Sequence, residues 1–145
     1  MNTVTQHNIG ALIALATSVL PQAASANVNG SGIDRLAHNL PLSCVVHQVV
    51  GAVTGAPSTI SAAAKLQHSP DNSTWADYVP PGAASVGQTA ALTAVSTEAS
   101  VAIDLSSANR YVRAVALVSF TGGTSPTILT AVDIAFGGEP LDPAV

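Results

Sequence analysis

The sequence predicts an all-β domain, an antiparallel β-sandwich of jelly-roll type with an immunoglobulin-like sandwich as the alternative arrangement. Three observations predict it. Apolar residues recur with a period of two in several separate segments, the spacing that places alternate side chains on opposite faces of a strand. Clusters rich in Gly, Pro, Asn and Ser interrupt those segments every ten to fifteen residues or so, as turns do between short strands. The 145 residues are 48% hydrophobic but only 3% aromatic and 8% charged. A core made from them must use small aliphatic side chains, many of them β-branched and suited to a pleated surface.

The first element is the least determined. In "IGALIALATSVL", Asn8 could cap a helix with Ile9, Leu12, Ile13 and Ala16 on its apolar side. The β-branched residues and the neighbouring pattern favour a strand. The same segment ends near Ala24-Ser25-Ala26, a small-residue run of the kind that follows a secretory signal. No Lys or Arg precedes it, and Thr17 and Ser18 interrupt the apolar run, so export is not expected. The run is also shorter than the roughly 20 apolar residues that a membrane-spanning helix needs.

"SCVVHQVVGAV" and "TISAAAKLQHS" are small or β-branched runs bounded by turn formers, with Lys65 and Gln67 sharing one face and Leu66 taking the other. "ASVAIDLSS" alternates Val101, Ile103 and Leu105 against Ala102 and Asp104. "NRYVRAVALVSF" sets Val112, Ala114, Ala116, Val118 and Phe120 on one side and Tyr111, Arg113 and Ser119 on the other. "TILTAVDIAF" groups Ile128, Val132, Ile134 and Phe136, with Asp133 opposite. Between them lie "TGAPST", "SPDNST", "VPPGAASVGQ", "SSAN" and "TGGTSP". The chain therefore divides into an N-terminal arm with room for a first strand (1–26), a sandwich (27–138) and a C-terminal tail (139–145).

Charge and motifs exclude more functions than they suggest. Four Lys and Arg against eight Asp and Glu give a net charge of −4, without the basic footprint that phosphate contacts require, so nucleic acid is not an expected partner. So few charges do little to oppose association, which points to a surface partly covered by partners. The single Cys44 excludes an internal disulfide and reads as a buried structural thiol. Its spacing from His47 puts the two on opposite faces of a strand, so they cannot share a metal. His7, His38 and His68 are scattered, and no Gly-x-Ser-x-Gly elbow or phosphate-binding loop is present. Neither an enzyme nor a cofactor is expected.

The stretch "AAAKLQHSPDNSTWADYV" admits two readings. Pro70, Asp71 and Asn72 set a turn, and Trp75 just beyond can cover it as the aromatic clasp of a hairpin. Alternatively Trp75 and Tyr78 form a stacking platform for a sugar with Asp77 as hydrogen-bond partner. The scarcity of aromatic residues favours the clasp. The Asn72-Ser73-Thr74 glycosylation pattern has no meaning in a chain that is not exported.

Several segments in this order, "NGSGID", "KLQHSPDNSTWADY" and "NRYVRA" followed by "SPT", resemble capsid decoration (cement) proteins of tailed bacteriophages over roughly residues 27–138. The resemblance implies a non-enzymatic β-sandwich bound in many copies to the outer surface of the virion. There it would bridge subunits of the major capsid protein, with the copies themselves forming dimers or trimers. It also implies synthesis in the host cytoplasm and no membrane partner. It assigns no contact residue. From the pattern itself, Tyr111 and Arg113 on an outward strand face, Asp34 and Arg35 at the start of a loop, and Trp75 and Tyr78 are the expected interface residues. At least one of the two ends, "MNTVTQHN" and "GGEPLDPAV", is expected to become ordered against a neighbour. Two rival functions share the sandwich: a carbohydrate- or receptor-binding module of a phage tail, and a tail-tube or head-completion protein.

Overall fold

The computed structural model describes residues 13–138. Nine strands run through them: β1 (Ala14–Ala24), β2 (Val28–Asn29), β3 (Ile33–Asp34), β4 (Ser43–Thr54), β5 (Thr59–Ser69), β6 (Ala76–Asp77), β7 (Thr97–Asp104), β8 (Tyr111–Thr121) and β9 (Thr127–Gly137). A single 3-10 turn, Arg35–His38, separates β3 from β4. The run that left helix and strand open is a strand from Ala14 onward, and residues 9–12 lie outside the described residues. The described residues contain no α-helix.

The strands form two sheets in which every pairing is antiparallel. Sheet A has the order β1-β9-β4-β7, and sheet B the order β2-β8-β5-β6 with β3 also along β8. Only the break between β2 and β3 and the β5–β6 hairpin keep the chain within one sheet. Every other connection carries it across to the opposite sheet. Immunoglobulin-like sandwiches join several neighbouring strands within a sheet, so this connectivity is the jelly roll.

The alternation read from the sequence decides which side chains meet between the sheets. Cys44, Val46, Gln48 and Val50 of β4 are buried, as are Ile128, Thr130, Val132, Ile134 and Phe136 of β9. From the other layer come Ala62, Ala64 and Leu66 of β5 with Val112, Ala114, Ala116 and Val118 of β8. Small residues dominate, and Phe136 and Tyr78 are the two largest buried side chains. The imidazole of His38 stacks on Phe136 at 5.4 Å and closes that end of the core.

One β-bulge fits the edge strand β1 to the sandwich. The register against β9 slips between Thr17 and Val19, so that consecutive residues Ser18 and Val19 both turn inward. Pro21 lies in the irregular second half of this strand, at a sheet edge where its missing N–H costs no central ladder bond.

Candidate functional site

Two of the six expected interface residues belong to the interior. Arg35 is only 5% exposed. Its Nη1 donates to the carbonyls of Ala108 (2.6 Å) and Asn109 (3.1 Å), and its Nη2 to those of Pro41 (2.7 Å) and Leu105 (3.0 Å). The guanidinium thus satisfies two loops that would otherwise bury unpaired carbonyls, so its side chain is not a surface contact. Tyr78 is 1% exposed, and its hydroxyl donates to the Asp104 carbonyl at 2.6 Å, with the Ser107 hydroxyl at 3.1 Å. It anchors the start of the long β6–β7 connection to the end of β7.

Asp34 caps the 3-10 turn by accepting from the Leu36 N–H at 3.0 Å, and it holds Arg110 through two bonds of 3.0 and 2.7 Å. The Arg110 hydrogen bonds, reinforced by the cap, lower the pKa of its carboxyl. Arg110 also lies over the Tyr111 ring at 5.1 Å. Asp34 and Tyr111 are brought together by the β3–β8 pairing, in which they stand opposite each other, and Arg110 contacts both.

Trp75 and Arg113 meet directly, the guanidinium carbon 4.4 Å from the ring centroid. Arg113 in turn donates twice to Gln67 Oε1, at 2.9 and 2.8 Å, while Gln67 Nε2 donates to Asp77 Oδ1 at 2.8 Å. Lys65 completes the chain with Asp77 at 2.7 Å. In the turn before Trp75, the Asp71 carboxylate accepts the N–H groups of Ser73 and Thr74 at 2.9 and 2.7 Å, and Asn72 adopts a left-handed φ of 59°. Those backbone bonds hold the Asp71 carboxyl far below its usual range. Trp75 therefore packs against Arg113 of β8, while Asp71 holds the turn itself. With Tyr78 interior, Trp75 and Tyr78 form no shared platform.

Among the described residues, a group of exposed apolar side chains lies elsewhere, on the outer face of sheet A. Leu15 is 70% exposed, Leu20 67% and Leu129 49%, and Val45 and Val49 are also exposed. The pairing register aligns Leu15, Ala135, Val45 and Ala102 across the four strands, so these side chains form one continuous apolar row. Leu129 packs over Gly51, where a Cβ would meet the leucine Cβ at 3.2 Å. An open depression there is lined by Pro21, Gln22, Val49, Gly51, Leu129 and Ala131. Polar groups interrupt the face: in one row Thr17 donates to Asp133 at 2.6 Å, and His47, next in that row, pairs with Glu98 of the adjoining row at 3.1 Å.

Sequence reasoning missed this face, although one signal for it was present. In "SCVVHQVV", Val45 and Val49 alternate with Cys44, Val46 and Val50, so β4 is apolar on both sides. Such a strand is normally covered on both sides.

Cys44 is buried, and burial pushes its thiol pKa up to about 12, so it stays protonated and unreactive near neutral pH. It lies on the opposite face of β4 from His47, as their spacing implies. Among the described residues, no three His, Cys, Asp or Glu side chains are grouped to hold a metal ion. No helix among them is long and apolar enough to cross a membrane.

No protein-family model matches the chain, and no curated protein matches it in sequence. Among solved structures, the chain is similar to the crystal structure of SPBc2 prophage-derived protein YomS, with a TM-score of 0.43 and 11% identity, over 86% of this chain and 95% of that one.

Proposed function

We propose that this chain is a structural protein of a tailed-phage virion, a decoration or cement protein that binds the outside of the head and stabilises the shell by bridging major capsid protein subunits. The observation that carries this reading is the exposed apolar face of sheet A, with Leu15, Leu20, Val45, Val49 and Leu129 all open to solvent. Contiguous apolar surface of this kind marks a protein-contact site. The "NGSGID", "KLQHSPDNSTWADY" and "NRYVRA" segments support the same reading through their resemblance to decoration proteins. Two layers tied by strands from both ends of the chain give a stiff body, suited to carrying load between neighbours. Bound in many copies, with dimers or trimers engaging several subunits at once, individually modest contacts add up to firm attachment.

Electron cryomicroscopy of the virion that carries the chain tests the reading. Copies distributed over the icosahedral shell are expected on its outer surface. Copies confined to one vertex or to the tail would overturn it in favour of a head-completion or tail protein.

A further inference from the structure

Charge is partitioned between the two sheets. All four basic side chains, Arg35, Lys65, Arg110 and Arg113, belong to sheet B or the loops flanking it. Each is engaged there: Arg35 with carbonyls, Lys65 with Asp77, Arg110 with Asp34, and Arg113 with Gln67 and Trp75. Sheet A carries Glu98, Asp104 and Asp133 and no Lys or Arg at all. Among the described residues, the acidic excess therefore falls on the sheet with the exposed apolar face, since the four cations at sheet B outnumber Asp34, Asp71 and Asp77 there. Asp133 points outward between Ile134 and Val132, which are buried, and Glu98 flanks the same surface through His47.

We infer that the outer face of sheet A is the docking face, and that its occupant is a different protein presenting an apolar surface studded with Lys or Arg. The inference rests on the proposed function, in which that occupant is the shell. Charge complementarity decides between this and a second copy of the chain. In a two-fold dimer the same patch lies on both sides, so two sheet A faces would set carboxylates against carboxylates with only His47 to offset them. A basic partner turns the same groups into attractive contacts that fix register, while the leucines and valines supply the buried area.

The experiment uses shells of the encoding phage prepared without this protein, to which the purified full chain is added back. Bound copies are measured at several salt concentrations. Leu129→Asp and Asp133→Lys are each expected to weaken binding by about tenfold or more. Ser119→Lys, on the exposed outer side of sheet B, is expected to bind like the unmodified chain. Leu129 and Asp133 are solvent-facing, and unchanged thermal unfolding of each variant separates lost contact from lost fold.

Sheet A variants that bind as tightly as the unmodified chain would overturn the inference and leave the proposed function standing. Tighter binding by Asp133→Lys would overturn the basic character of the partner. If sedimentation shows an oligomer of the free chain that Leu129→Asp dissolves, the occupant is a second copy and the inference fails. An unmodified chain that binds no shell, together with virions lacking it on their heads, removes the proposed function itself.

Discussion

The guanidinium of Arg35 reaches four carbonyls in two loops, Pro41 on one side and Leu105, Ala108 and Asn109 on the other. Hydrogen bonds to a charged donor are the stronger kind, and removing the donor strands buried acceptors. Arg35→Met is therefore expected to lower stability by about 3 kcal/mol or more in urea unfolding. Arg35→Lys should recover little of this, because a single ammonium cannot reproduce the planar fork. His68 is a second residue whose environment sets its chemistry. Its Nδ1 accepts the Asn109 N–H at 3.2 Å, which requires that nitrogen to be unprotonated, and its ring lies 5.0 Å from Tyr78. Burial first, then the nearby Arg35 charge, lowers its pKa from 6.5. A depressed base takes up its proton more readily when unfolded, so its contribution to stability is present above pH 6.5 and is lost as pH falls through the folded-state value. Unfolding measured between pH 7.5 and about pH 5 should show this loss, and His68→Gln should flatten it. The lowered carboxyls of Asp34, Asp77 and Asp104 act in a separate window, below their ordinary 3.8. Neither the burial of Arg35 nor that of Tyr78 was legible in the sequence, since an arginine is nearly always exposed and only the closing of two distant loops makes an interior place for one.

At the scale of elements, the corner between the sheets is the most tightly specified feature. β2 and β3 are one strand along β8, broken at Gly30–Gly32, and the side chain of Ser18 from the β1 bulge fills the break. Its hydroxyl accepts the Ala114 N–H at 2.8 Å and donates to the Ser31 carbonyl at 3.1 Å. The backbone continues the join, with Gly30 N–H to the Ala114 carbonyl at 2.9 Å and Ser31 N–H to the Ser18 carbonyl at 2.8 Å. A Cβ on Gly30 would fall 2.3 Å from Ser18 Oγ and 2.7 Å from the Ala114 oxygen, so no side chain fits. Ser18→Ala is expected to cost about 1–3 kcal/mol from a buried N–H left unpaired. Gly30→Ala should cost at least as much, because backbone as well as side chain must move. Urea unfolding of both variants checks the order. The strands themselves were legible: Val112, Ala114, Ala116 and Val118 are inward, with Tyr111, Arg113 and Ser119 on the other side, as the period of two requires. The corner was not, because Ser18 and Ala114 lie 96 residues apart and no local pattern links them.

For the whole molecule, β1 and β9 pair from Ala14 against Phe136 to Ala24 against Ile128, so both ends of the sandwich leave the same edge of sheet A side by side. Joining Gly138 to Ile13 through a short Gly-Ser linker and opening the chain at Gly82 is expected to preserve the fold. Gly82 has φ +75° and nothing within 4 Å of where its Cβ would be. Such a permutant should unfold cooperatively, with a loss of about 1–2 kcal/mol or less, since nearby ends cost little to close. Measured chemical denaturation beside the original chain checks it. By itself the sequence determined the class of the fold, the positions of the long strands after the first, and the inward side of those with clear alternation, such as Tyr111–Thr121 and Thr127–Gly137, because strand periodicity and turn chemistry act within a few residues. Only the tertiary structure decided that connections cross between sheets as a jelly roll, that Arg35 and Tyr78 are interior, and that sheet A keeps an apolar, acidic outer face while every cation gathers at sheet B. Those outcomes depend on which distant strands become neighbours, and a one-dimensional pattern specifies the two faces of a strand without saying what will cover either of them.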